Sequence, residues 1–559
     1  MTSRADIQDF LSRFEGRVAP VERAVSEAWW GLATTGTEEA QEELVRAGIA
    51  YNEVFADGDE FGRVKSWYEQ RDSLENLLLR RQVEVLYRSF AGRQGDREIL
   101  DRVEELEAQA NAVYGNHRGL VGGVEAGENE VRQILHSSND EAHRREAWEA
   151  SKTVGLEVEE TVRELARLRN RLAREAGYPD HYHRSLDLQE IDAAGLDRIM
   201  SGLESATDAP IAELKERLDA QLKERFGVET VAPWHLSDPF FQSCKHDPIA
   251  FPRPDSRGGA GSASGENCRL TPARNGMDVD RFFRDKDLEA LTLKAYDNLG
   301  LEIRDVLAKS DLHERKGKIQ HAFCLGIGRE YPYDVRVLAN VQPDSYWMDT
   351  MLHEFGHAAY DKFINPRLPY LLRSIAHTCI TEAIALMMGA LADDPAWLSA
   401  VAGVPEADLR EGREYLLWRD RADRLVFIRW ALVMFHFERA LYADPDREDL
   451  NKVWWDLVER LQLVRRPPGR DEPDWAAKIH VAVAPVYYHN YVLGHLTAAQ
   501  LRRYLETYIT QGPYFMSEVA GRYLLEAVFG PGARDDWQTT VIRATGEALN
   551  PDYFVKSLH

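Results

Sequence analysis

Cysteine is scarce: the 559 residues include only Cys244, Cys268, Cys324 and Cys379. That excludes a disulfide scaffold, and the spacing is not that of a zinc knuckle, so the four read as free thiols in a reducing compartment. Positive charge is also short. Lys and Arg number 69 against 93 Asp and Glu, a formal net charge of -24. Such a balance argues against nucleic acid or an anionic membrane as a partner, since both attract basic surfaces. No stretch reaches the roughly 18 uninterrupted apolar residues of a membrane-spanning helix. The run Met1 to Ile7 has early charge and no apolar core of a secretory signal, so a cytoplasmic location is expected. Internal repeats are missing, and strand signals are few.

What is present is mostly helix. Residues 97–114 and 138–177 place apolar side chains at i, i+3, i+4 and i+7, with charge on the other faces. The fold class is mainly α. The best strand signals are 318–328 and 334–340, short β-favouring runs separated by Gly and Pro that predict a small hairpin. Residues 244–277 are rich in Gly, Pro, Ser and Asn and predict a long loop or insertion. The chain reads as a single unit over 1–559. An N-terminal helical region spans roughly 1–243, and a C-terminal region over 278–559 carries the chemistry.

That chemistry begins at Leu352-His353-Glu354-Phe355-Gly356-His357. On a helix, His353 and His357 at i and i+4 share one face and can bind one Zn²⁺ at ~2.0–2.1 Å. Glu354 sits beside the first imidazole, placed to take a proton from water. A catalytic zinc site takes a third protein ligand and keeps one position open. Glu382 lies on a second helical run among Ile380, Ala383 and Ile384. A carboxylate buried there is costly unless it is paired or binds a metal, which makes it the expected third ligand. His377 competes for that position and reads better as a structural residue.

Farther on, Lys478-Ile479-His480 precedes Tyr487-Tyr488-His489-Asn490-Tyr491. Phenols and imidazoles of this kind can stabilise an oxyanion beside a metal, although aromatic runs are more often core. Lys478 can hold a carboxylate as a point charge, unless it is an ordinary surface lysine. His321 and Ala322, on the expected edge strand, can pair with an extended peptide backbone.

At these residues the chain resembles gluzincin peptidases of the angiotensin-converting enzyme type and, more distantly, thimet oligopeptidase and oligopeptidase F. The likeness rests on HEFGH followed by Thr381-Glu382-Ala383, on the hairpin with His321 and Ala322, and on Lys478-x-His480 followed by Tyr488-x-x-Tyr491. The segment around Trp29, Trp30, Thr34, Thr35 and Gly36 is similar to bacterial members. The resemblance implies an ellipsoidal, two-lobed helical fold with zinc at the floor of a deep channel that admits short peptides. It implies that Lys478 and Tyr488 hold a C-terminal carboxylate, that His480 and His321 hold peptide carbonyls, and that Tyr491 stabilises the oxyanion. The spacing from His480 to Tyr488 is one residue longer than in the converting enzymes, so Tyr487 competes with Tyr488. Asn490 replaces an arginine linked to chloride there, so chloride dependence is not carried over. Leu386 replaces an aspartate that orients a ligand histidine, so another acid must serve, with Asp361 a candidate.

The expected activity is zinc-dependent hydrolysis of short peptides by a water activated through Glu354, with release of C-terminal dipeptides. Alternatives are an oligopeptide endopeptidase, a dedicated zinc hydrolase of one peptide-like metabolite, and an idle zincin scaffold. The intact His353, Glu354, His357 and Glu382 argue against the last.

Overall fold

The computed structural model describes residues 4–247, 277–319, 321–410 and 412–558. The loop expected over 244–277 falls almost wholly outside them. The described chain is mainly α, as the apolar periodicity implies. Its strands form two antiparallel two-stranded sheets, Gly119–Val121 with Val124–Ala126 and Phe323–Gly326 with Val335–Leu338. The first is unforeseen by the strand reading. Its turn residues Gly122 and Gly123 both take positive φ, the two-residue hairpin signature. No helix among the described residues is long and apolar enough to cross a membrane.

The run over 138–177 is two helices, Glu141–Lys152 and Val154–Glu175. The break falls at Thr153, whose hydroxyl donates to the Ala150 carbonyl at 2.8 Å, a local bond that competes with continued helix. One hydrophobic core runs from Leu106 to Phe554, and a smaller one joins Ile7, Phe10, Phe14, Trp67 and Phe90 to Tyr370 and Leu371. The first helix, Arg4–Thr35, reaches the second hairpin: Trp29 and Trp30 pack on Phe323 with ring centroids 5.9 and 6.3 Å away.

Three helices frame the candidate site. Ser345–Lys362 carries HEFGH and is capped by Asp344, whose side chain accepts from the Trp347 N–H at 2.8 Å. Thr378–Gly389 carries Glu382, and Tyr488–Tyr504 carries the tyrosines. Their close crossing depends on two glycines. A Cβ on Gly356 would lie 2.9 Å from the Ala385 Cα, and one on Gly494 would lie 3.0 Å from the Glu382 Cβ. Any side chain at either position would push the Glu382 helix away from its neighbours.

Candidate metal centre and active site

The helix crossing brings His353, His357 and Glu382 together, with one ligand atom from each within 4.8 Å of the others. His353 Nε2 is 3.8 Å from Glu382 Oε2, inside the ~4.2 Å that two metal–ligand bonds of ~2.1 Å can span. The imidazole rings lie 5.0 Å apart and nearly perpendicular, at 80°. Glu382 is 7% exposed, and its Oε2 is buried with no hydrogen-bond partner. An orphaned carboxylate oxygen facing two imidazoles fits a cation between them.

The electrostatics agree. Burial lowers His353, and burial with the nearby His353 lowers His357 well below its usual value, so both rings are neutral and able to ligate. Burial pushes Glu382 up to about 7, against a hydrogen bond from Tyr487. A divalent cation would remove the penalty on that carboxylate. Two neutral imidazoles and one carboxylate form the donor set of a catalytic zinc site with an open position.

The hydrogen-bond partner of His357 differs from expectation. Its Nδ1 lies 2.7 Å from the Thr381 hydroxyl, so a neutral oxygen stands where an acid was sought. Asp361 is turned toward the hairpin, 3.7 Å from where a Gly326 Cβ would be. Leu386 lines the cavity instead. A hydrogen bond to the distal nitrogen sets the tautomer and direction of a ligating imidazole. Thr381→Val is therefore expected to weaken zinc affinity about 10- to 100-fold, read by competition with a fluorescent chelator. Unchanged affinity would mean that Thr381 does not orient His357.

Glu354 packs beneath the hairpin. Burial and the charge of Glu382 push it up to about 8, and the Cys324 backbone N–H holds it down. Tyr491 lines the same cavity as His353 and Glu382, and burial with the charge of Glu382 raises its phenol above the usual range. The two adjacent tyrosines diverge. Tyr487 bonds toward Glu382, whereas Tyr488 lines the cavity with His480, their rings 5.0 Å apart. His377 is the N-cap of the Glu382 helix, accepting from Cys379, and its Nε2 lies 2.8 Å from the Gln189 carbonyl. It is not in the ligand cluster.

A cavity of about 440 Å³ opens beside the triad. Its lining includes His353, Glu382, Lys478, His480, Tyr488 and Tyr491. Lys478 donates to Gln242 Oε1 at 2.9 Å, and burial lowers its ammonium to about 8. His480 is pushed down to about 3 by burial and by the charges of Lys478 and His321. His321 is exposed, and it and Ala322 precede the strand, which begins at Phe323, instead of lying within it.

Sequence reasoning missed Gln242 and Thr381. Nothing in the local pattern marks Gln242, which stands just ahead of the Gly- and Pro-rich segment, and Thr381 entered only as part of the Thr381-Glu382-Ala383 match, with no role for its hydroxyl.

A peptidase family model described as angiotensin-converting enzyme matches residues 1–204 and 327–551. The matched ranges contain the triad, Glu354 and the segment from Lys478 to Tyr491. Gln242, His321 and Ala322 lie between them. Among curated proteins, none matches the chain.

Proposed function

We propose that this chain, which belongs to the angiotensin-converting enzyme family of metallopeptidases, releases dipeptides from the free C-termini of short peptides, with one Zn²⁺ held by His353, His357 and Glu382. One observation carries the reading: a single cavity is lined both by metal-ligand candidates and by a cationic, phenol-bearing grip of Lys478, Gln242 and Tyr488. The substrate's terminal carboxylate lies against Lys478 and Tyr488, and its amide groups lie against His480 and His321. Ala322 offers backbone to the extended peptide.

Zinc, when bound, supplies a Lewis acid that makes water a nucleophile near neutral pH and polarises the scissile carbonyl. Glu354 takes the proton of the attacking water as its oxygen bonds to the carbonyl carbon. The same carboxyl group, once protonated, can return that proton. The Tyr491 phenol, raised above its usual range by burial and neighbouring carboxylates, stays protonated and donates to the oxyanion. Glu354 passes its proton to the departing amine as the C–N bond breaks.

The test is one peptide with free and with amidated C-terminus. Amidation removes a charge-assisted contact worth about 1.5–3 kcal/mol, so kcat/KM should fall about 10- to 100-fold. Equal rates would overturn dipeptide release and favour internal cleavage. The pH dependence follows from Lys478. Its ammonium, lowered to about 8, is charged below that pH and neutral above it. KM for the free acid should therefore rise above pH 8, while KM for the amide stays flat over the same range.

A further inference from the structure

The chain enters the tyrosine helix through a strained residue. Val486 has φ 54°, in the left-handed region. A β-branched side chain stays there only when its surroundings force it. Val486 is buried at 1% exposure, and two side chains distant in sequence hold its backbone. Its N–H donates to Glu438 Oε1 at 2.7 Å, and its carbonyl accepts from Gln189 Nε2 at 3.2 Å. Glu438 projects from the long helix Arg413–Ala443 and is itself buried.

Gln189 holds more than Val486. Its Oε1 accepts from Asn490 Nδ2 at 2.8 Å and lies 3.1 Å from His489 Nε2. Its own carbonyl meets His377, the cap of the Glu382 helix, at 2.8 Å. One residue thus touches the starts of the helices that carry Glu382 and Tyr491. It is also firmly anchored. The next residue, Glu190, is left-handed too, with φ 60°. Arg81 grips the Glu190 carboxylate through two bonds of 2.5 and 2.7 Å, and Trp537 donates to its carbonyl.

We propose that Gln189 and Glu438 clamp Val486 in its left-handed conformation and so set the Tyr491 and Tyr488 side chains in the cavity that His353 and Glu382 line, making Gln189 a positioning residue for peptide hydrolysis. The proposal rests on the role given to Tyr491 above. Val486 immediately precedes Tyr487 and Tyr488, so a relaxed φ at that residue would swing the first turn of the helix. A merely structural clamp would cost stability and leave turnover alone; a positioning clamp lowers kcat in enzyme that is still folded and zinc-loaded.

The experiment uses the zinc-loaded full chain, with kcat on a free-acid peptide and amide hydrogen exchange over residues 484–492. Gln189→Leu and Glu438→Leu are each expected to lower kcat about 10- to 100-fold, the usual cost of misplacing a reacting group by ~1 Å. Both should speed exchange in that segment. Glu438→Gln, which keeps an acceptor for Val486, should retain most of the activity. Adding Val486→Gly to Gln189→Leu should restore both readouts, because glycine takes φ near +54° without support. A fall in melting temperature with kcat unchanged, or failure of Val486→Gly to rescue, would overturn the clamp. If Gln189→Leu does not fold, the contrast between Glu438→Leu and Glu438→Gln decides. If the unaltered enzyme cleaves no peptide, the proposed function fails, and the exchange pattern alone judges the clamp.

Discussion

Replacing Glu354 by glutamine is expected to lower kcat about a thousandfold while zinc remains bound, the middle of the range that general acid–base catalysis contributes. Glu354 adjoins His353 in sequence but is not in the ligand cluster. Its carboxylate lies instead under the hairpin, with the Cys324 N–H directed to it. Glutamine keeps the shape and can still accept from Cys324, but it cannot take a proton from water. Steady-state kinetics with metal analysis on the same sample checks this. Turnover near that of the unaltered enzyme would remove Glu354 as the base. Loss of zinc together with activity would recast it as a ligand.

Removing Glu382 is expected to have a comparable or larger effect by another route. Glu382→Ala takes away the only anionic member of the donor set and leaves two neutral imidazoles, so zinc should dissociate and kcat/KM fall by at least about a thousandfold. The variant separates the metal's effect on activity from its effect on stability. A ligand that binds only the folded chain stabilises it by RT ln(1 + [L]/Kd), about 4 kcal/mol at a thousandfold excess over Kd. Chelation should therefore lower the melting temperature of the unaltered protein and leave that of Glu382→Ala unchanged. Equal chelator sensitivity in both would place the ion elsewhere.

Some of this was readable in one dimension. Apolar periodicity marks helix because side chains three and four apart share a face whatever lies beyond, and the described chain is mainly α. The i, i+4 pair of His353 and His357 is local in the same sense. Glu382 stood out because a carboxylate among Ile380, Ala383 and Ile384 has to be explained. The hairpin before HEFGH was legible too, although its strand starts two residues after His321. The Gly119–Ala126 hairpin was missed: its strands of three residues are too short to show alternation, even with Gly122 and Gly123 at the turn.

By itself the sequence marked the helical class and the His353–His357 pair, because each depends on spacing within one element, and it marked Glu382 and the tyrosine-rich segment as candidate companions by residue type and by the family resemblance. Only the tertiary structure decided what surrounds them. It set Thr381, not an acid, on His357, separated Tyr487 from Tyr488, joined Gln242 to Lys478, and held Val486 between Gln189 and Glu438. The physical reason is distance along the chain. Gln242 precedes Lys478, and Gln189 precedes Val486, by hundreds of residues. Contacts of that kind are set by how helices cross, here where Gly356 and Gly494 let three backbones close in, and no periodicity within a single helix encodes them.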